Sequence, residues 1–392
     1  MEQEQEKEIY EITEQLVNIV EKTRPTETIQ NPALKTAKRW KKAVLWTIFI
    51  LFNVGVLVFT MVKDFSGSSE ITSTALDLFR RHWWWLALAV AALLAWFMCR
   101  TFAYATMMRL FTGKVRLGLC MSVVTIGQFY DKVTPLGTGG QPFQIHRLQN
   151  KNLPKGAAIT MPMVEYFIGR FVFCFISIAA IILNATKVFG ENVVMNTGIY
   201  VLAILGVITS FAVPFLLTLS LISKKACAKI TKWIVVTAKF FKLTKDPNAL
   251  YEKIMTNLEA NISCMKMLFK KKRLLMLCVL FSIGASLATC SVGYFVIKAF
   301  GYGTLHGWGW AEILILMYLI TNSVLLVPTP GNSGAADLSF YFVFESAILG
   351  AGAIATLLWR VIVFYVPVLI GFIHIVLISR KRKNKKALMI LQ

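Results

Sequence analysis

Long apolar runs alternate with short basic blocks along the chain, and several runs reach the roughly 20 residues that cross a bilayer as a helix. The first, Ala43 to Val62, follows a block in which five of the eight residues from Lys35 to Lys42 are basic. Trp83, Trp84 and Trp85 open a second run ending near Cys99, and their indoles suit the outer interface. Arg100, Arg109, Lys114 and Arg116 then mark a return to the inside. Ala157 to Leu183 is expected to cross outward, Gly198 to Ile222 back, and Leu274 to Phe295 outward again. Ala351 to Ser379 crosses inward and ends at six basic residues within Arg380 to Lys386. These flanks predict cytoplasmic N- and C-termini.

Two segments interrupt the pattern. Leu117 to Tyr130 has 14 residues, about 21 Å as a helix, too short for a hydrocarbon core of about 30 Å. A full crossing there would put Arg147, Lys151, Lys155 and every later basic block outside, so the segment is predicted to dip in and return. Trp310 to Val327 and Ala336 to Leu349 form another down-and-back pair, entered from the outside; two full crossings fit the parity here too, and the 14 residues of the return arm favour the hairpin. The predicted fold is an all-α polytopic membrane protein, about six full spans plus two re-entrant hairpins arranged as inverted repeats.

Five regions follow. Residues 1–42 form a cytoplasmic tail whose Ile9, Ile12, Leu16, Ile19 and Val20 recur at helical spacing, with eight Glu among residues 1–30. A short amphipathic helix and a solvated tail both fit this pattern. Residues 43–222 are the first membrane half, with a motif at 131–148. A basic cytoplasmic connection occupies 223–273, with thirteen basic and three acidic residues between Lys224 and Arg273, and is read as lying along the membrane surface. The second half, 274–379, has a motif at 326–340, and 380–392 is a basic cytoplasmic tail.

Composition narrows the class further. Mean hydropathy of +0.62 with 56% hydrophobic residues excludes an ordinary soluble domain. A net charge of +22 raises nucleic acid as a partner, but the basic residues flank apolar runs, where they orient helices and meet anionic lipid. No nucleic-acid partner is therefore expected. The seven cysteines contain no CxxC and point to neither a disulfide framework nor a metal site, and no cofactor motif is present. About 40 polar residues before the first apolar run argue against a cleaved signal peptide.

The two motifs carry the candidate chemistry. Asp131 to Leu148 reads DKVTPLGTGGQPFQIHRL and Leu326 to Phe340 reads LVPTPGNSGAADLSF. Aligning Thr134-Pro135 on Thr329-Pro330 pairs Thr138 with Ser333, Gly139 with Gly334 and Gly140 with Ala335, 195 positions apart. Matched glycine-broken segments in the two halves of a membrane chain point to a binding site. Gly137, Gly139 and Gly140 allow backbone N–H groups to turn toward one point, and a half-helix N-terminus favours an anion such as phosphate. Thr134, Thr138, Gln141 and Gln144 can add hydrogen bonds, while Arg147 and Arg170 can pair bidentately with phosphate or carboxylate. In the second copy Thr329, Gly331, Asn332, Ser333 and Asp337 take comparable places. The alternative is that small residues simply let helices approach, with their hydroxyls satisfying one another.

Glu165, Arg170, Asp337, Glu345 and Arg360 are charges within apolar sequence, each costly unless paired or wet and each a functional candidate. Internal ion pairs such as Arg360 with Asp337 or Glu345 are the competing explanation. Gln128 and Asn322, just before the breaks, fit helix capping as well as ligand contact.

The stretch TPLGTGGQPFQIHRL, the later VPTPGNSGAAD and the last span containing Arg360 resemble the membrane domain of lysylphosphatidylglycerol synthase, the multiple peptide resistance factor, and its stand-alone flippase-like relatives. The resemblance covers roughly residues 43 to 380. Gln141 and Gln144 stand where much of the family has an acidic residue and an arginine, and Asp337 where it has Glu. The resemblance implies binding or translocation, in a bacterial cytoplasmic membrane, of an anionic or aminoacylated phospholipid or a polyprenyl-phosphate-linked lipid. It also implies that lysyl transfer belongs to a soluble C-terminal domain; here 13 residues follow Ser379, so a synthase activity is expected to need a separate partner.

The leading expectation is thus a flippase-like lipid transporter, as a single chain or a homo-oligomer. A lipid-binding membrane subunit for a separate synthase or glycosyltransferase predicts the same residues without unassisted movement. Gly331-Asn332-Ser333-Gly334 also fits the GxSG pattern of rhomboid proteases, with His374 as base. That base should lie about 34 Å along the last span, near the cytoplasmic face and away from Ser333.

Overall fold

Among the described residues the long apolar runs form long helices and the Gly-rich breaks separate shorter ones. In the computed structural model the described residues are 79–134, 139–151, 155–186, 197–222, 271–300, 309–327, 331–345 and 351–390, with single positions elsewhere. The expected N-terminal helix, the first span Ala43–Val62, most of the basic connection and the stretch Pro135–Thr138 lie outside them.

Ten helices run in order among the described residues: α1 Trp84–Thr112, α2 Leu117–Val133, α3 Gly140–Gln149, α4 Lys155–Ala185, α5 Thr197–Ile222, α6 Lys272–Ala299, α7 Trp310–Ser323, α8 Ala335–Phe344, α9 Gly352–Arg360 and α10 Val366–Ile390. Four stretches are long and apolar enough to cross a membrane: Trp84–Thr112, Ala157–Ala185, Lys272–Ala299 and Gly352–Arg380. Their outward stripes remain apolar, with Leu88 and Met98 on α1, Phe175 and Ile182 on α4, and Leu369, Phe372 and Leu377 on α10 all exposed. Apolar stripes of this extent belong against lipid tails. The protein is a helical membrane protein.

α1 passes beyond the Cys99 boundary expected from the sequence. Arg100 does not end it, because the guanidinium pairs with the buried carboxylate of Glu165 on α4. The helix stops at Gly113, left-handed at φ 67°, whose N–H donates to the Arg109 carbonyl at 3.0 Å.

The two interrupted segments are helical hairpins. α2 descends and α3 returns beside it, so that Arg116, just before α2, donates to the carbonyl of Lys151, just after α3, at 3.1 Å. Between them Arg147 Nε donates to Ser122 Oγ at 2.8 Å, and the buried Gln144 amide reaches the Val123 carbonyl at 3.4 Å. In the second half α7 and α8 pack together, with residues 324–326 and 331–334 forming turns between them.

Element order therefore repeats: a long helix, a hairpin, a long helix. The two leading helices, α1 and α6, pack along much of their length, Trp85 against Phe295 and Phe102 against Phe281. One number rises as the other falls, so the pair is antiparallel. Each hairpin also packs on the opposite half, α2 on α10 and α7 on α4 and α5. Between α9 and α10 a single π-helical turn, Val361–Tyr365, inserts into an otherwise α-helical rod, a distortion frequent at functional sites.

Candidate functional site

The tip of each hairpin is organised by one carboxylate. Asp131, at the end of α2, accepts the backbone N–H of Gly140 at 2.8 Å and so caps α3 from the preceding helix. A Cβ at Gly140 would collide with that carboxylate. Thr134 Oγ1 donates to the Tyr130 carbonyl at 2.7 Å and accepts the Gly139 N–H at 2.9 Å. In the second tip Asp337 accepts the Gly334 N–H at 2.9 Å. The N–H groups of Gly139, Gly140 and Gly334, which the sequence offers to an anion, are thus taken by the chain's own side chains. Asp131→Ala is expected to lower stability by about 0.5–2 kcal/mol, and Asp131→Asn, which keeps a capping oxygen, by less; thermal unfolding of the detergent-solubilised protein measures both.

Three left-handed residues shape the second tip, Gly331 at φ 59°, Asn332 at φ 52° and Gly334 at φ 83°. Arg360 reaches into this turn from α9. Its Nε lies 3.2 Å from Asp337 Oδ1, and Nη2 donates to the Gly331 carbonyl at 3.0 Å and to Ser333 Oγ. The guanidinium also lies 4.5 Å from the centre of the Phe364 ring in the π turn. Thr329 Oγ1 donates to the Ser333 carbonyl at 3.0 Å, closing the loop. Asp337 and Arg360 are both buried and form an internal ion pair. Glu345 instead accepts the Tyr341 hydroxyl at 2.8 Å.

Ser333 consequently has a guanidinium at its hydroxyl. His374 Nε2 is 2.9 Å from Ser122 Oγ on α2, so the base expected for the GxSG serine is engaged at a different hydroxyl.

Between the halves lies a cavity of about 360 Å³. Arg100, Asp131, Lys132 and Arg170 are the charged residues in its wall, and Gly331 and Asn332 bring the second tip to it. Gln128, Thr289 and Thr321 add polar groups, while Trp96, Tyr166 and Phe173 supply aromatic surface. Arg170 lies over the Tyr166 ring at 5.3 Å and Arg100 over Trp96 at 5.7 Å. Convergent polar groups in a largely apolar hollow are the usual character of a small-ligand site.

Of the residues singled out from the sequence, Gln128, Arg170, Gly331 and Asn332 line this cavity. Glu165 stands behind it, paired with Arg100. Thr134, Gly139, Gly140, Gln144, Arg147, Thr329, Ser333, Gly334, Asp337 and Arg360 hold the hairpins and tips through the bonds given above. Gln141 occupies the first turn of α3, and Pro135, Gly137, Thr138 and Pro330 lie outside the described residues. Asn322, expected as a cap or a ligand contact, bonds the Tyr318 carbonyl at 2.7 Å and Ser177 Oγ at 2.8 Å.

Sequence reasoning passed over Arg100, Asp131 and Lys132. The last two are the opening letters of the first motif, and their position one turn before the Gly-rich break was the available signal. Arg100 gave none, because its partner Glu165 is 65 positions away.

Residues 35–371 match the sequence profile of the lysylphosphatidylglycerol synthase TM region. The chain belongs to this family. Among curated proteins, none matches it. Both hairpins and every residue lining the cavity fall inside the lysylphosphatidylglycerol synthase TM region, which makes the chain a membrane protein related to lipid modification.

Proposed function

We propose that the protein binds the polar headgroup of a membrane lipid in the cavity between its halves and carries it across a bacterial cytoplasmic membrane. The observation that carries this reading is the cavity itself, a cationic and hydroxylated hollow reached by one broken hairpin from each half. An anionic headgroup would meet Arg170 and Lys132 there. The acyl or prenyl chains would remain in lipid. The antiparallel pairing of α1 and α6, each the leading helix of its half, supports an inverted repeat, and rocking of such halves exposes a midplane site to either face. In this reading the hairpins are re-entrant, the basic flanks lie in the cytoplasm and so do both termini. Glu165, Asp337 and Arg360 support the site through their ion pairs.

The test is lipid movement in proteoliposomes. Purified protein should move a fluorescent anionic lipid between leaflets with headgroup selectivity, and Arg170→Ala should slow that movement about tenfold or more. Retained lipid without movement would favour a binding subunit that serves a separate synthase or glycosyltransferase. Neither retained lipid nor movement would overturn the proposal.

A further inference from the structure

Resting on the lipid-binding reading above, we propose that the headgroup this cavity takes is a singly charged phosphodiester carrying a neutral hydroxylated group, and not an aminoacylated, zwitterionic or dianionic one. The inference comes from the charges that surround the cavity. Arg100, Lys132 and Arg170 face two carboxylates, Asp131 in the wall and Glu165 behind Arg100, which leaves one positive charge. The neighbouring Arg360 is balanced by Asp337 and adds none. Inside a membrane an uncompensated charge is costly, so the ligand that completes the balance is held best. A phosphodiester brings one negative charge. A phosphate monoester overshoots, and a headgroup with an ammonium falls short.

The distribution of the charges agrees with their sum. Among the described residues Lys132 and Arg170 form no ion pair. Each instead stands near an aromatic ring, Lys132 Nζ 5.9 Å from Phe364 and Arg170 5.3 Å from Tyr166. These are the two cations left for a phosphate, Arg170 as a planar fork and Lys132 as a point charge. The carboxylates, by contrast, are engaged. Glu165 is 2% exposed and paired with Arg100, and Asp131 is committed to the N–H of Gly140. Thr289, Gln128 and Asn332 offer neutral hydrogen-bonding groups on the same wall, which suits the hydroxyls of a glycerol or a sugar.

A diacylglycerol phosphodiester and a glycosyl phosphodiester of a polyprenol share this chemistry, and competition binding separates them. The purified full chain would be loaded with a fluorescent phosphatidylglycerol. It would then be challenged with unlabelled phosphatidylglycerol, glucosyl-phosphoryl-polyprenol, lysyl-phosphatidylglycerol, phosphatidylethanolamine and polyprenyl monophosphate. One or both phosphodiesters with hydroxylated headgroups should compete about tenfold or more better than the other three, and which of the two is stronger identifies the source. Lys132→Gln and Arg170→Gln should each reduce that preference, while Asp131→Asn, which removes one negative charge and keeps a capping oxygen, should shift it toward the monophosphate. Equal or tighter binding of the lysylated lipid or the monophosphate by the wild-type protein overturns this inference and leaves lipid binding intact. Failure of every lipid to bind overturns both readings. Wild-type selectivity alone decides the matter, whatever the variants do to folding.

Discussion

Arg360→Gln is expected to destabilise the protein by about 3–5 kcal/mol, the cost of leaving a buried charge without its partner. Asp337 is 3% exposed and its Oδ1 lies 3.2 Å from Arg360 Nε. Removing the guanidinium also strips a donor from the Gly331 carbonyl and from Ser333, and the cation from the Phe364 ring. A drop in the thermal unfolding temperature of the solubilised protein is the readout. Adding Asp337→Asn to Arg360→Gln should recover much of the loss, because the amide oxygen still caps Gly334 and no unpaired charge remains. An unfolding temperature equal to wild type for Arg360→Gln alone would show that the pair does not hold the second tip.

The second large effect is expected at Gly331. Its φ of 59° is a conformation that an L side chain adopts at a cost of about 1–2 kcal/mol. A Cβ there would also overlap the Phe364 ring, and forced overpacking adds about 1–3 kcal/mol. Gly331→Ala should therefore lose about 2–5 kcal/mol in the same unfolding assay. Gly113 supplies the control, with a φ of 67° and nothing within 4 Å of an added Cβ. Gly113→Ala should cost only the conformational part, about 1–2 kcal/mol. Equal losses at the two glycines would show that Phe364 moves aside freely and that the π turn does not fix the tip.

These two predictions concern contacts that span the fold. Arg360 is reached from the second tip across 27 positions in the case of Ser333, and Lys132 approaches Phe364 from the other half. Phe364 thus stands beside a cation from each half, Lys132 at 5.9 Å and Arg360 at 4.5 Å. Among the described residues the π turn that carries it is where the first hairpin, the second tip and the last long helix come together.

The long helices were legible in the sequence wherever apolar length decided them. Ala157 to Leu183 became α4, Gly198 to Ile222 became α5, and Leu274 to Phe295 became α6, each within a few residues. The break between α2 and α3 was legible as well, since Thr134-Pro135 and the glycines that follow interrupt the apolar run there. The end of α1 was misread, because a cation inside an apolar run looks like a boundary until its acid is found.

By itself, then, the sequence determined that the chain is a helical membrane protein, where its long helices and its breaks fall, and that charges such as Glu165, Arg170, Asp337 and Arg360 lie within apolar sequence. These follow from local quantities: the length of an apolar run, the flanking charge and the backbone freedom of glycine. Only the tertiary structure decided what those charges do. It turned Arg360 and Asp337 toward each other, spent Asp131 on a helix cap, and brought Arg100, Lys132 and Arg170 from three helices into one wall. The physical reason is that a charge in a low-dielectric interior is governed by its nearest partner in space. For Arg100 that partner is Glu165, which the order of residues along the chain does not reveal.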